Sequence, residues 1–291
     1  MLPRKAYRLE WGRYVLELGR RTCIMGVLNV TPDSFSDGGL FLDPATAVAH
    51  GVRLADEGAD IIDIGGESTR PFSEPLTAEE EIRRVVPVIA ELAQRVSAPI
   101  SIDTTKSIVA RRALEAGAAM VNDISALRCD PAVAAVAAEF GAPLFLMHMQ
   151  GEPRTMQVAP GYDDLVGEIR DFLQAAAAAA EAQGIPRSML IADPGIGFGK
   201  TPAHNLQLIH HLAEFAALDM PILVGPSRKS FIRRLVKNPG ENDIAPDAPM
   251  VAIGTQAAVA AAILNGAHIV RVHDVATTVA TCKVVDAIVN S

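Results

Sequence analysis

The sequence Ile191-Ala192-Asp193-Pro194-Gly195-Ile196-Gly197-Phe198-Gly199-Lys200 joins an apolar run to a carboxylate and then to a glycine-rich loop. An apolar run that ends in a charged residue is typical of a buried strand, and the loop after it needs backbone angles that glycine permits. A buried carboxylate needs a partner, because leaving it unpaired in apolar surroundings is costly. Asp193 is therefore either the cap of the next helix or part of a ligand site.

The same pattern, an apolar run followed by a polar residue and a loop, occurs eight times along the chain. Ala-rich segments of helical periodicity lie between the runs, which is typical of parallel strands covered by helices. Eight such units in about 250 residues favour an α/β fold of the (β/α)8 TIM barrel type over an open sheet. The predicted strands are Cys23–Asn29, Ile61–Asp63, Pro99–Asp103, Ala119–Asn122, Pro143–His148, Met189–Asp193, Pro221–Gly225 and His268–His273.

The composition fits one large core. The chain has 291 residues, 49% hydrophobic and 21% charged, and no linker divides it, so we interpret residues 1–291 as a single domain. The formal net charge of −8 argues against a nucleic acid partner, because no basic face is present. Cys23, Cys129 and Cys282 follow no metal-site pattern and predict reduced core thiols in a cytoplasmic protein. The N-terminus has no apolar signal segment.

Two segments lie outside the repeating pattern. Residues 1–21 alternate apolar and polar side chains around Trp11-Gly12-Arg13, which predicts an N-terminal β-hairpin that closes the bottom of the barrel. Met250–Val270 is long enough to span a bilayer, but Asn265-Gly266 divides it. We therefore interpret it as a buried helix, Val251–Leu264, that leads into the eighth strand, and expect no membrane partner. The small apolar face of this helix could also form a subunit contact.

Hydrogen-bond acceptors gather at one half of the predicted mouth, where the carboxyl ends of the strands meet. Asp103 and Asn122 end consecutive strands and should lie side by side, although Asp103 could instead cap a helix. Asp193 ends a further strand, and Met147 offers a soft apolar surface suited to a flat ring. Two carboxylates and an amide favour a heterocycle that is rich in hydrogen-bond donors.

The other half of the mouth is positive. Lys229 follows the seventh strand, and Arg271 and His273 lie at the end of the eighth, where barrels commonly bind phosphate. This half therefore favours an anion. A pyrophosphate ester of a guanine-like ring would satisfy both halves at once.

Two polar loops flank the mouth. The loop over residues 29–39 ends in glycine and carries one aromatic residue, Phe35, as a mobile lid would, or else it is an ordinary surface loop. The loop Gly65–Pro71 combines a glycine pair with hydroxyl groups and an arginine, which favours an oxyanion or phosphate. Asp63 and Glu67 could each be structural or catalytic.

Six motifs together resemble those of the dihydropteroate synthases. They occur in order and at the spacing of that family over about residues 22–290. One departure is Phe72-Ser73-Glu74, where the family more often has Gly-Ala, and it puts the shape of the second loop in doubt. The motifs are Asn29–Gly39, Gly65–Pro71, His148–Gln157, Asp193–Lys200, Ser227–Ser230 and Arg271–Val275.

The resemblance implies condensation of 6-hydroxymethyl-7,8-dihydropterin pyrophosphate with 4-aminobenzoate to dihydropteroate and pyrophosphate. It implies that Asp193 accepts two parallel hydrogen bonds from the pterin 2-amino and N3–H groups. Asp103 and Asn122 would contact other heteroatoms of the ring, and Met147 would lie beside it. Lys229 would contact the side of the ring that carries the carbonyl.

The resemblance also implies roles around the reacting bond. Asn29 together with Mg²⁺, and Arg271 with His273, would hold the pyrophosphate. With Lys229, these residues are the predicted catalytic set. The polar side chains of Thr69 and Arg70 would find partners once the anion binds. The predicted aminobenzoate slot comprises Thr69, Pro71, Phe198, Lys229 and Ser230. We expect a homodimer.

Two alternatives stay open. A methyltransferase domain that binds a folate could share the barrel with Asp103, Asn122 and Asp193. It should have no use for the loop 29–39 or for the segments Ser227–Ser230 and Arg271–Asp274, and all three are present in this chain. A non-catalytic pterin-binding protein would be expected to lack one of Asn29, Arg271 and His273, and this chain has all three.

Overall fold

The computed structural model describes residues 4–31, 44–68, 76–240 and 242–291. A two-stranded antiparallel sheet comes first, and eight parallel strands follow it along the chain. The strands are β1 Tyr7–Trp11, β2 Tyr14–Leu18, β3 Cys23–Asn29, β4 Ile61–Gly65, β5 Ile100–Asp103, β6 Met120–Asp123, β7 Leu144–Met147, β8 Leu190–Asp193, β9 Leu223–Val224 and β10 Ile269–Val272.

The eight parallel strands form a barrel. Their order in the sheet is β8-β7-β6-β5-β4-β3-β10-β9, so each strand lies beside its neighbour in sequence except where β10 joins β3. Between the edge strands β8 and β9, Ala192 makes a parallel bridge with Ile222. The predicted (β/α)8 barrel is thereby confirmed. That residues 1–291 form one domain stays a prediction.

Helices connect the strands on the outside. Two of them, α7 and α8, lie between β9 and β10, which adds one helix to the predicted alternation. The helices are α1 Pro44–Asp56, α2 Ala78–Leu92, α3 Ser107–Glu115, α4 Ala132–Phe140, α5 Leu165–Ala182, α6 Pro202–His210, α7 Ser230–Val236, α8 Pro249–Leu264 and α9 Val275–Val289.

Alternate residues of each barrel strand point inward, as the period of two requires. Outward residues such as Ile62, Ile102 and Val121 pack with the helices in the main core. The first inward residues form a separate apolar cluster across the lower half of the barrel. The inward residues nearer the carboxyl ends are mostly polar, which produces an apolar floor below a polar mouth. The floor residues are Cys23, Met25, Ile61, Met120, Phe145, Ile191, Leu223 and Ile269.

The N-terminal hairpin closes the bottom of the barrel, as predicted. Leu9, Trp11, Leu16 and Leu18 belong to the same apolar cluster as the floor residues. The indole Nε1 of Trp11 donates to the backbone oxygen of Ala119 at 2.9 Å, which satisfies its polar atom at the end of the barrel. The apolar face of the hairpin thus covers the amino ends of the barrel strands and excludes water from them.

The long apolar segment near the C-terminus is a helix followed by a strand, as predicted. Helix α8 ends at Leu264, and Gly266, with φ of +109°, makes the turn toward β10. In the described ranges, no helix is both long and apolar enough to cross a bilayer. The prediction of core thiols is wrong for Cys129, which is exposed, whereas Cys23 and Cys282 are buried.

Candidate active site

A connected charge network lines the mouth. Arg271, on β10, donates from Nε to Oδ2 of Asp63 at 2.6 Å and from Nη2 to Oδ2 of Asp103 at 2.8 Å. Asn122, on β6, donates from Nδ2 to the same oxygen of Asp63 at 3.0 Å. Strands β4, β5, β6 and β10 are therefore joined across the barrel interior by one guanidinium, two carboxylates and one amide.

Asp63 is the centre of this network, although the sequence left its role open. Its side chain is fully buried, and Oδ2 receives both Arg271 and Asn122. Because Asn122 donates one N–H of its Nδ2 to Asp63, its Oδ1 acceptor and its second N–H are left for a ligand. The role of Asp63 was left open because its partners come from other strands, and the one available signal was its inward register in Ile-Ile-Asp-Ile.

Burial changes the proton affinity of the acceptors. It raises the pKa of Asp193 to about 6, although the Gly195 N–H and the Lys200 ammonium oppose the shift. Burial also raises the pKa of Asp103, and Arg271 opposes it. The pKa of Lys229 falls to about 8, first through burial and then through repulsion from Arg271. The mouth thus holds charges of both signs at low solvent exposure.

The loop after β8 is fixed by close backbone contacts. Oδ1 of Asp193 accepts a hydrogen bond from the Gly195 N–H at 2.7 Å. A Cβ at Gly195, where φ is +71°, would lie 1.8 Å from the carbonyl oxygen of His148, so only glycine fits. Asp193 therefore caps its own loop with one oxygen and keeps its second oxygen for another partner.

Phe198 and Lys229 meet on one side of the mouth. The ammonium Nζ of Lys229 lies 3.9 Å from the centroid of the Phe198 ring, a cation–π contact. Phe198 packs with Met147 and Met149 in a small apolar cluster. The predicted soft apolar surface thus lies beside the predicted aminobenzoate slot.

The residues after β9 and β10 are also brought together. His273 Nδ1 lies 2.9 Å from Oγ of Ser227, and Arg228 pairs with Asp274 at 2.7 Å. Ser230 is exposed at the first residue of α7. Ser227, which orients His273, was not among the predicted site residues.

Part of the predicted site lies outside the described residues. This applies to Thr69, Arg70 and Pro71, to the departure Phe72-Ser73-Glu74, and to residues 32–39 of the first loop. At the edge of this gap, Glu67 accepts a hydrogen bond from Lys106 and another, at 3.3 Å, from the Leu76 backbone.

A resident metal site is not evident in the part of the chain that the structure describes. No group of three or more His, Cys, Asp or Glu side chains there could hold a metal ion. Asn29, at the end of β3, offers one amide oxygen. A single oxygen ligand fits Mg²⁺ that takes its other ligands from substrate phosphates and water.

The comparisons with known proteins identify the family of the chain. A model of the pterin binding enzymes matches residues 25–273. A dihydropteroate synthase from Synechocystis is 48% identical over 280 residues, which is 96% of this chain and 94% of that protein. The Xanthomonas albilineans dihydropteroate synthase with 4-aminobenzoic acid superimposes with a TM-score of 0.88, at 45% identity and 98% coverage of both chains.

The same Xanthomonas enzyme in complex with 7,8-dihydropteroate gives a TM-score of 0.84, at 43% identity, over 97% of this chain and 98% of that one. The chain therefore belongs to the family of pterin-binding enzymes. Its place within that family is among the dihydropteroate synthases, transferases of folate synthesis, as the sequence motifs indicate.

Proposed function

We propose that this chain joins 6-hydroxymethyl-7,8-dihydropterin pyrophosphate to 4-aminobenzoate, forming 7,8-dihydropteroate and releasing pyrophosphate. The observation that carries the proposal is the set of acceptors at the mouth, Asp193, Asp103 and Asn122 Oδ1, next to Lys229 and Arg271. A pterin edge presents adjacent N–H donors, and its pyrophosphate is an anion. Each half of the ligand thus finds complementary charge.

Asp193 is the proposed reader of the pterin edge. The carboxylate accepts two parallel hydrogen bonds from the 2-amino and N3–H groups in a charge-assisted pair, one at Oδ2 and one at the lone pair of Oδ1 that the Gly195 N–H leaves free. Asp103 and Asn122 accept from or donate to the remaining ring heteroatoms, and Met147 contacts the ring. Lys229 lies beside the ring carbonyl and also faces Phe198, so it stands between the two substrates.

Asn29, Arg271 and His273 are proposed to hold the pyrophosphate. Hydrogen bonds to Asp63 and Asp103 already fix the orientation of the Arg271 guanidinium, so it contacts the anion without having to be ordered first. The Asn29 amide oxygen would hold Mg²⁺, which when bound supplies positive charge to the leaving group. Oriented cations stabilise the charge that grows as the C–O bond breaks.

The proposed path begins with departure of pyrophosphate. The amino group of 4-aminobenzoate is a weak nucleophile, and the electron-rich dihydropterin can delocalise a cation at its methylene. The amine nitrogen then forms the new C–N bond and loses a proton. Phe198, Thr69, Pro71, Lys229 and Ser230 are the proposed aminobenzoate slot. No covalent nucleophile is needed.

A pyrophosphate-release assay tests the proposal. The wild-type chain with the pterin pyrophosphate, Mg²⁺ and 4-aminobenzoate should release one pyrophosphate for each dihydropteroate formed. Asp193→Asn is the matched control, since it keeps the shape of the site. Absence of release under all conditions would favour a non-catalytic pterin-binding protein, and methyl transfer from a methylfolate would favour the methyltransferase alternative.

We also propose a cytoplasmic homodimer. Leu235, Met250 and Ile253 are 60%, 52% and 62% exposed, which leaves apolar side chains at the surface of the neighbouring helices α7 and α8. Helix α8 also carries the small apolar residues that the sequence analysis assigned to a possible subunit contact. Ile253→Asp should convert the dimer to a monomer in analytical ultracentrifugation, and a wild-type monomer would contradict the proposal.

A further inference from the structure

Lys200 is a lysine buried at the end of the glycine-rich loop. Only 2% of its surface is exposed. Its Nζ lies 2.9 Å from the carbonyl oxygen of Phe198 and 3.0 Å from Nδ1 of His148. Burial removes the hydration of the ammonium, and this cost has to be offset by the hydrogen bonds that the ammonium makes. One of those groups is the backbone of the residue proposed to contact the aminobenzoate.

The loop that carries Phe198 is fixed by side chains from outside it. Tyr162 donates its hydroxyl to the Gly199 carbonyl at 2.7 Å, and Gln157 donates Nε2 to the Gly197 carbonyl at 2.7 Å. Lys200 does the same for the intervening carbonyl, that of Phe198. Three successive carbonyls therefore each have a side-chain donor, but Lys200 alone brings a charge.

The charged surroundings of Lys200 come from three other elements. Asp193, at the end of β8, attracts its ammonium, and Lys229, after β9, repels it. His148, after β7, accepts from Nζ, and its pKa is also lowered by the positive charge of Arg128. Asp193 itself is also faced by Lys229 and Arg271.

We propose that Lys200 is a positioning residue for both substrate subsites of the proposed synthase. Its ammonium holds the Phe198 carbonyl, which sets the aminobenzoate slot. It also contacts His148, whose backbone N–H donates to the Asp193 carbonyl at 2.9 Å, so its positive charge lies close enough to favour the ionised form of Asp193 as an acceptor for the pterin. This role rests on the proposed function but concerns a residue that need not touch either substrate.

Lys200 and Asp193 each shift the pKa of the other in the direction that this role requires. Burial lowers the pKa of Lys200 to about 7, and Asp193 opposes that change. Reciprocally, Lys200 lowers the pKa of Asp193 against the larger effect of burial. His148 is neutral, because burial and then Lys200 lower its pKa to about 2, so its Nδ1 accepts from the ammonium. Removal of the lysine charge should raise the pKa of Asp193.

Three variants separate charge from hydrogen bonding. Lys200→Met removes both, Lys200→Gln removes the charge but keeps a donor for the Phe198 carbonyl, and Tyr162→Phe removes a neighbouring uncharged donor. Each is measured for binding of 6-hydroxymethylpterin, which has no phosphates, from pH 5 to 9, and for kcat and KM toward 4-aminobenzoate. The wild type titrated with the same ligand accounts for the ionisation of the pterin itself.

The pH midpoint of pterin binding should rise by about one unit in both Lys200 variants, since a lost opposite charge shifts a carboxyl by that order. It should stay unchanged in Tyr162→Phe. The KM for 4-aminobenzoate should rise about tenfold in Lys200→Met and less in Lys200→Gln. An unchanged midpoint in Lys200→Gln would overturn the proposal, since a merely structural lysine would not move it. Failure of the wild type to bind the pterin would instead overturn the proposed function.

Discussion

Asp193→Asn is the sharpest perturbation of the proposed pterin site. The amide has the shape of the carboxylate. Its oxygen can still accept from the Gly195 N–H, which in the wild type lies 2.7 Å from Oδ1 of Asp193. The second position then holds an NH2 group that faces the donors of the pterin. The change thus preserves the loop while it inverts the hydrogen bonding offered to the ligand.

The expected loss follows from two terms. A charged bidentate pair disappears, and ligand donors stay buried without an acceptor, which together cost about 2–5 kcal/mol. That free energy corresponds to a roughly 30- to 4,000-fold weaker pterin affinity. Since Asp193 is 6% exposed, water cannot readily replace the missing acceptor.

The pH dependence gives a second, independent reading. Burial raises the pKa of Asp193 to about 6, so the carboxylate is ionised above pH 6 and becomes protonated below it. Wild-type affinity should therefore be nearly full at pH 7 and above, about half of that at pH 6, and about tenfold lower at pH 5, one unit below the pKa. In Asp193→Asn this decrease should be absent.

Isothermal titration calorimetry with 6-hydroxymethylpterin at pH 5, 6, 7 and 8 measures both effects. Thermal unfolding of the variant provides the folding control. A variant that binds within about threefold of the wild type, or that keeps the decrease below pH 6, would refute the assignment of Asp193 as the pterin reader.

Three further predictions test the rest of the site. His273→Ala should weaken binding of the pterin pyrophosphate and leave that of the bare pterin unchanged, whereas Arg271→Ala should weaken both, because it leaves two buried carboxylates without their cation. Calorimetry with the two ligands distinguishes these outcomes, and equal losses for His273→Ala would place that residue at the ring. Gly195→Ala should lower the free energy of unfolding by more than about 2 kcal/mol in urea, because the added Cβ meets a carbonyl at a positive φ. An unchanged urea midpoint would contradict the contact. Finally, 4-aminobenzoate should bind much better with pyrophosphate and Mg²⁺ present than to the bare protein, and equal affinity by fluorescence titration would mean that its pocket exists beforehand.

The barrel was predictable because its two signals are local. Apolar runs of strand length alternate with helical segments, and each run ends in a polar residue, so the strand ends and their common mouth follow from the order of residues alone. Asp103, Asn122 and Asp193 were found in this way, since each is the final polar residue of its run. The strand at Pro221–Gly225 was predicted too long, and only Leu223–Val224 pairs in the sheet with β10.

The pairing of those side chains was not predictable, because it depends on contacts between strands far apart in sequence. Arg271 was assigned to the pyrophosphate from its place after the eighth strand, but its nearest partners are Asp63 and Asp103, 208 and 168 residues away. In the sequence, Lys200 was interpreted only as the last residue of the motif Asp193–Lys200. Its burial against His148 depends on how the loop after β8 folds back over β7.

The register of the strands connects stability to the site. In β8, Ile191 belongs to the apolar floor, Asp193 lies two residues further at the mouth, and Ala192 packs outward in the helix-covered core. A slip of one residue would turn Ala192 inward and Asp193 toward the apolar helix layer, where a carboxylate has no partner. The same reasoning applies to Asp63 between Ile62 and Ile64. Each mouth carboxylate therefore selects against the wrong register of its own strand. The apolar floor supplies the stability that lets these charges remain buried, so substitutions in the floor should reduce folding before they alter ligand affinity.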